Sequence, residues 1–128
     1  MKELTKEWVE IAEHDFHTAQ MVLRKRRNQE PYPEVACFHC QQCAEKYLKA
    51  YLIEHNTRFT YTHPLIDHLE LCREVDAKFE ILDTDLRELE GYAVRARYPG
   101  IEVTLEMGKS AVAAAGRVRS FIRGKLSL

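Results

Sequence analysis

Between Glu34 and Glu54, Ala36, Cys40, Cys43, Tyr47, Ala50 and Tyr51 recur at three- and four-residue spacing, the period of a helical stripe turned towards a core. His39, Gln42, Lys46 and Lys49 follow steps of three, four and three on the same helix and form a continuous polar row. Upstream, Trp8, Ile11, Ala12, Ala19, Val22 and Leu23, widened by Val9 and Phe16, predict a first helix over Lys2–Asn28. It closes on Arg24, Lys25, Arg26 and Arg27, cations suited to a helix C-terminus. Asp15 lies inside its apolar stripe, so a cation or hydrogen-bond donor should face it.

Pro31 and Pro33 mark a loop, and Pro33 suits the first turn of the second helix, which runs to about His55. Asn56–Thr62 is a connection, and His63-Pro64 opens a shorter third helix with Leu65, Leu69 and Cys72 facing inwards. A fourth helix starts near Asp83 with Leu82, Leu86, Leu89 and Ala93 as its inner stripe. Four residues further that stripe reaches Arg97, before Pro99-Gly100 stops the helix. Thr104 is the expected N-cap of a last helix ending at Lys125, and its Gly108, Ala111, Ala115 and Gly116 predict close backbone approach. The pattern is an all-α bundle of four long helices plus a short one.

With 128 residues and neither repeat nor linker, the chain reads as a single domain over residues 1–128. Five Gly and four Pro leave little room for the turns of an all-β fold. A net charge of −1 carries no global signature of a nucleic-acid binder. The charge is uneven, however. Phe79–Glu90 holds five acids against Arg87, whereas Thr104–Leu128 holds five cations against Glu106, so the two segments can neutralise each other. No apolar run reaches the ~20 residues that span a bilayer, and the N-terminus shows no apolar export segment. The four cysteines are then expected to be free thiols in a reducing, cytoplasmic setting.

The densest chemistry is Tyr92-Ala-Val-Arg95-Ala-Arg97-Tyr98-Pro99-Gly100. Its arginines can cap the last carbonyls of the helix while the tyrosines pack, or they can grip a phosphate while Tyr98 stacks on a base. Asp15 is one candidate partner for Arg97. The row His39, Gln42, Lys46, Lys49 is either a solvated face or a phosphate-facing one. Cys37, Cys40 and Cys43 at steps of three lack the fourth ligand of an iron–sulfur run, and buried thiols are the simpler reading. Cys40, Cys43, His14 and His17 could in principle meet a zinc ion, though without a short-loop knuckle. His63 reads as a cap or packing residue. No Gly-rich phosphate loop, GxSxG or HExxH occurs, so neither a cofactor nor a metal is expected.

Trp8-x3-Ala12-x2-Asp15-x3-Ala19, Cys40-Gln41-Gln42-x-Ala44-Glu45-Lys46-x-Leu48-Lys49-Ala50, His63-Pro64-Leu65 and Arg95-x-Arg97-Tyr98-Pro99 together resemble the HEPN family, in its order and over nearly the whole chain. The resemblance implies an up-and-down bundle that dimerises, with its sensitive residues near the dimer cleft. It also implies a prokaryotic setting, often beside a small nucleotidyltransferase in a toxin–antitoxin-like pair. Relatives bind nucleotides or cleave RNA without metal, the latter through an Arg-x4-6-His motif. That histidine is missing, since no His follows His68.

The expectation is therefore a homodimeric module that binds a nucleotide or RNA phosphate. Arg95 and Arg97 would hold the phosphate, Tyr98 the base, and Lys46 and Lys49 would add positive potential. Asp15, His39, Gln42 and Tyr92 would support them, Asp15 by orienting an arginine. The alternatives are a metal-independent ribonuclease in which His39 or His63 substitutes for the missing group, and a helical module that only docks on a partner protein.

Overall fold

The computed structural model describes residues 1–60 and 64–128. Its elements are α1 (Glu3–Leu23), α2 (Pro33–Glu54), α3 (Leu65–Val75), a 3-10 turn (Ala77–Leu82), α4 (Asp83–Ala96) and α5 (Leu105–Lys125). Ion pairs and hydrogen bonds fix their directions. Asp15–Lys46 and Thr5–Glu54 set α1 antiparallel to α2, Glu13–Arg119 together with Leu23 beside Gly108 sets α1 antiparallel to α5, and Gln41–Glu90 and Asp85–Arg117 tie α4 to α2 and α5. The result is an all-α up-and-down bundle of four long helices, with α3 carrying the chain across from α2 to α4.

Helix α2 packs against every other α-helix. All six residues of its predicted stripe are buried, and Leu48 and Leu52 join them. Its start follows from Pro33, whose missing N–H is one that a first turn leaves unbonded anyway. At its end Asn56 takes φ 55°, Asn56 N–H donates to the Ile53 carbonyl and Thr57 N–H to that of Leu52, which closes the helix in a Schellman motif.

Two expectations for α1 need correction. The helix ends at Leu23, five residues early, because Arg24 turns extended and Tyr32 N–H bonds the Val22 carbonyl at 2.8 Å. Arg24 is the C-cap, its backbone N–H donating to the Met21 carbonyl at 3.2 Å, and Lys25–Arg27 lie in the exposed loop beyond the helix. Ile11 is exposed, and Thr5 and Asp15 are buried instead, because α2 crosses the side of α1 that carries Thr5, Ala12, Asp15 and Ala19. On α4 the expected Leu82, Leu86, Leu89 and Ala93 are buried; on α5 Gly108, Ala111 and Ala115 are buried and Gly116 is half-buried. Helix α5 begins at Thr104, whose hydroxyl accepts from Met107 N–H. A Cβ on Gly108 would stand 2.8 Å from Leu23 Cδ2 and 3.1 Å from Pro33 Cβ, so that glycine lets α5 approach the junction of α1 and α2. The approach lies within one chain.

Among the described residues, no helix is long and apolar enough to cross a membrane.

Candidate functional site

The end of α4 sets the geometry. Its last bonds tighten to i→i+3 spacing, Arg97 N–H to the Val94 carbonyl and Tyr98 N–H to that of Arg95, both at 3.3 Å. Three residues per turn in place of 3.6 rotates the residues beyond away from the stripe that ended at Ala93. Arg97 is therefore exposed, not on the inner stripe as the spacing predicted. The chain then reverses through Tyr98-Pro99-Gly100-Ile101. Pro99 and Gly100 (φ 89°) take the central positions and Ile101 N–H bonds the Tyr98 carbonyl, the residue pattern of a type II turn.

Arg97 forms the shared wall of two hollows. One, of about 310 Å³, lies in the turn and is lined by Arg95, Tyr98, Ile101 and Val103, with Glu34 of α2 opposite. The other, of about 360 Å³, lies between helices and is lined by Trp8, Gln41, Gln42, Glu45, Lys46 and Lys49. The predicted residues thus divide. Arg95 and Tyr98 face the turn hollow, Lys46, Lys49 and Gln42 the interhelical cleft, and Arg97 both. Tyr92 joins neither, since its hydroxyl donates to Glu88 one turn back. The Glu88 carboxylate together with burial raises its pKa.

Asp15 does not orient an arginine. Its carboxylate lies 2.6 Å from Lys46 Nζ and 2.7 Å from His39 Nδ1, because the antiparallel crossing of α1 and α2 brings these three together. Lys49 is also committed. Its side chain is 7% exposed, paired with Glu45 at 3.1 Å, and its ammonium lies over the Trp8 and Phe59 rings at 5.3 and 5.7 Å. The polar row of α2 is therefore neither a solvated face nor a set of free cations. A chain of amides links the cleft to α4: Gln42 Nε2 donates to Gln41 Oε1 at 2.8 Å, and Gln41 Nε2 to Glu90 at 3.3 Å. Glu90 also accepts from Leu65 N–H at the start of α3, where a carboxylate suits the helix dipole.

Arg95 and Arg97 differ from the lysines. Among the described residues neither guanidinium has an ion pair or a side-chain hydrogen bond. Free guanidiniums beside an exposed phenol can bind a planar or tetrahedral anion bidentately.

The pattern of polar residues concealed Gln41 and Glu45, which look like core-side intruders on α2. Their signal was present: Gln41, Glu45 and Lys49 repeat at four residues and so share one face. Trp8 was assigned to the core, yet it is half-buried and also lines the cleft. His63 lies outside the described residues.

Burial pushes the Cys37 thiol up to about 11 and raises those of Cys40, Cys43 and Cys72 further. His14 and His17 are exposed while Cys40 and Cys43 are fully buried. Among the described residues no group of three or more His, Cys, Asp or Glu is arranged to hold a metal ion.

An up-and-down helical bundle with an arginine-flanked cleft at the end of α4 is the class that the fold and site define. The model of the HEPN domain matches residues 5–125, and the chain belongs to the HEPN family. Two solved structures share the fold. The crystal structure of TT1696 from Thermus thermophilus is 24% identical at a TM-score of 0.76, with 97% of this chain and 99% of that one covered. ST0689, described as an archaeal HEPN homologue, is 23% identical at 0.72, with 98% of each chain covered. No curated protein matches the chain.

Proposed function

We propose that this HEPN protein binds the phosphate of a nucleotide or an RNA at Arg97 and Arg95, with Tyr98 against the base. In this reading it acts as a homodimer and partners a small nucleotidyltransferase in a toxin–antitoxin-like pair. One observation carries the binding site: both guanidiniums are exposed and unpaired among the described residues, at the rim of two adjoining hollows. Lys46 and Lys49, each beside a carboxylate, shape the opposite wall and contribute less free charge than their number suggests.

The test is isothermal titration with ATP, GTP and a short single-stranded RNA, on protein whose mass is read by light scattering. Saturable binding lost in Arg97→Ala and kept in Arg26→Ala, on a species of about twice 15.0 kDa, is the expected result. Equal, negligible effects of both substitutions would sink the site. No binding at all would move the function to a protein partner.

A second reading has one observation in its favour. The His39 imidazole is held by the Asp15 carboxylate, the arrangement by which an acid orients a general base. If His39 serves an RNA-cleaving site, cleavage survives a chelator and falls by about 10²-fold or more in His39→Ala. Cleavage unchanged in that variant removes this reading.

A further inference from the structure

The phosphate reading leaves open how large a unit the site accepts, and the two hollows bear on that. Each is near the lower end of the ~300–1,000 Å³ usual for small-molecule sites, enough for one nucleoside and not for two. They share a single lining residue, Arg97. We propose that the ligand is a pair of nucleosides joined through one phosphodiester, seated with its phosphate on Arg97 and one nucleoside in each hollow. This inference rests on the phosphate reading above and adds the unit that is recognised.

Charge distinguishes the alternatives. The turn hollow sets two unpaired arginines against the Glu34 carboxylate, leaving one positive charge in excess. A diester carries one negative charge and balances it. The tail of a triphosphate would bring several charges towards Glu34 on one side, or towards Glu45 on the other, where Lys49 is already taken. Glu34 instead suits the exocyclic amine of a base, which donates to a carboxylate. Tyr98, 57% exposed beside it, offers a face for stacking. In the interhelical cleft the second nucleoside meets the amides of Gln41 and Gln42, held by their mutual hydrogen bond, beside the Lys46–Asp15 and Lys49–Glu45 pairs, and its apolar neighbour is Trp8. Apart from Arg95, whose charge the Glu34 carboxylate offsets in the turn hollow, neither hollow supplies a further unpaired cation, and the diester belongs on Arg97 between them.

The experiment is a nuclear magnetic resonance titration of the whole protein with AMP, ATP, the dinucleoside monophosphate ApA and a six-residue oligoadenylate. ApA should bind at least about tenfold more tightly than AMP or ATP, an advantage lost in both Tyr98→Ala and Arg97→Ala. Both side chains are exposed and make no side-chain hydrogen bond among the described residues, so the variants keep their fold. A hexamer binding like ApA marks a free dinucleotide as ligand, and a tighter one marks a longer strand; each agrees with the two-hollow site. AMP or ATP binding as well as ApA, with both affinities dependent on Arg97, overturns this inference and leaves the phosphate reading standing. No binding by any of the four ligands removes both.

Discussion

Glu13 shows how a charge near the core is held. Arg119 grips it through two bonds of 2.6 Å, the Tyr47 hydroxyl donates to it at 2.6 Å, and Arg123 stands 3.5 Å away. The Arg119 hydrogen bonds, ahead of the opposing effect of burial, hold its carboxyl below the usual 4.5. The unfolded chain then takes up that proton more readily than the folded one. The stabilisation is complete above about pH 5 and is lost as pH falls through the folded value. Glu13→Gln should flatten the acid side of the stability–pH curve, and Arg119→Ala should cost about 1–3 kcal/mol at neutral pH, read by urea unfolding at stepped pH. An unaltered acid limb in Glu13→Gln would assign the acid sensitivity to other carboxylates. The neighbouring Asp15 was legible in part. Its place in an apolar stripe demanded a partner, but His39 and Lys46 meet it only through the crossing of α1 and α2, which no local spacing encodes.

At the level of elements, boundaries were readable where a residue acts as a stop. Thr104 and Lys125 bound α5 as expected, and Pro33 opens α2. They were lost where tertiary contacts decide, as at Leu23, where nothing in Arg24-Lys25-Arg26-Arg27 is a poor helix former. The same limit applied at Arg97, since a tightened last turn leaves no mark in composition. Helix α5 supplies a paired test. Gly108→Ala should destabilise by about 1 kcal/mol or more, because the new methyl meets Leu23 and Pro33. Gly116→Ala should stabilise by up to about 1 kcal/mol, because its nearest neighbour, Phe16, lies at an ordinary 3.7 Å. Thermal unfolding of both variants reads the signs, and a stabilised Gly108→Ala would mean that the α1–α2 junction yields easily.

Across the whole molecule, opposed charges meet within the chain, but the acidic and basic segments meet only in part. Arg117 pairs with Asp85 of the acidic segment, whereas Arg119 and Arg123 meet Glu13 of α1 and Lys125 meets Asp76, just before that segment, at 2.6 Å. The architecture was readable because four long stripes with short connections admit few arrangements. The two hollows were not readable in the sequence, since they arise where α4 ends beside α2 and draw in Gln41, Glu45 and Trp8 while leaving out Tyr92. One consequence stems from α2 lying at the centre. Three of its side chains and one of α3 are thiols, all fully buried. A disulfide reagent added to the native protein at neutral pH should find nothing to attack until the bundle opens, and then four groups at once. The chain thus contains its own clock for global opening, with labelling rates that track the free energy of unfolding when reclosing outpaces labelling. Mass spectrometry of partly labelled samples should show unlabelled and fourfold-labelled species with little between, whereas early labelling of Cys72 alone would reveal α3 as a separately opening unit.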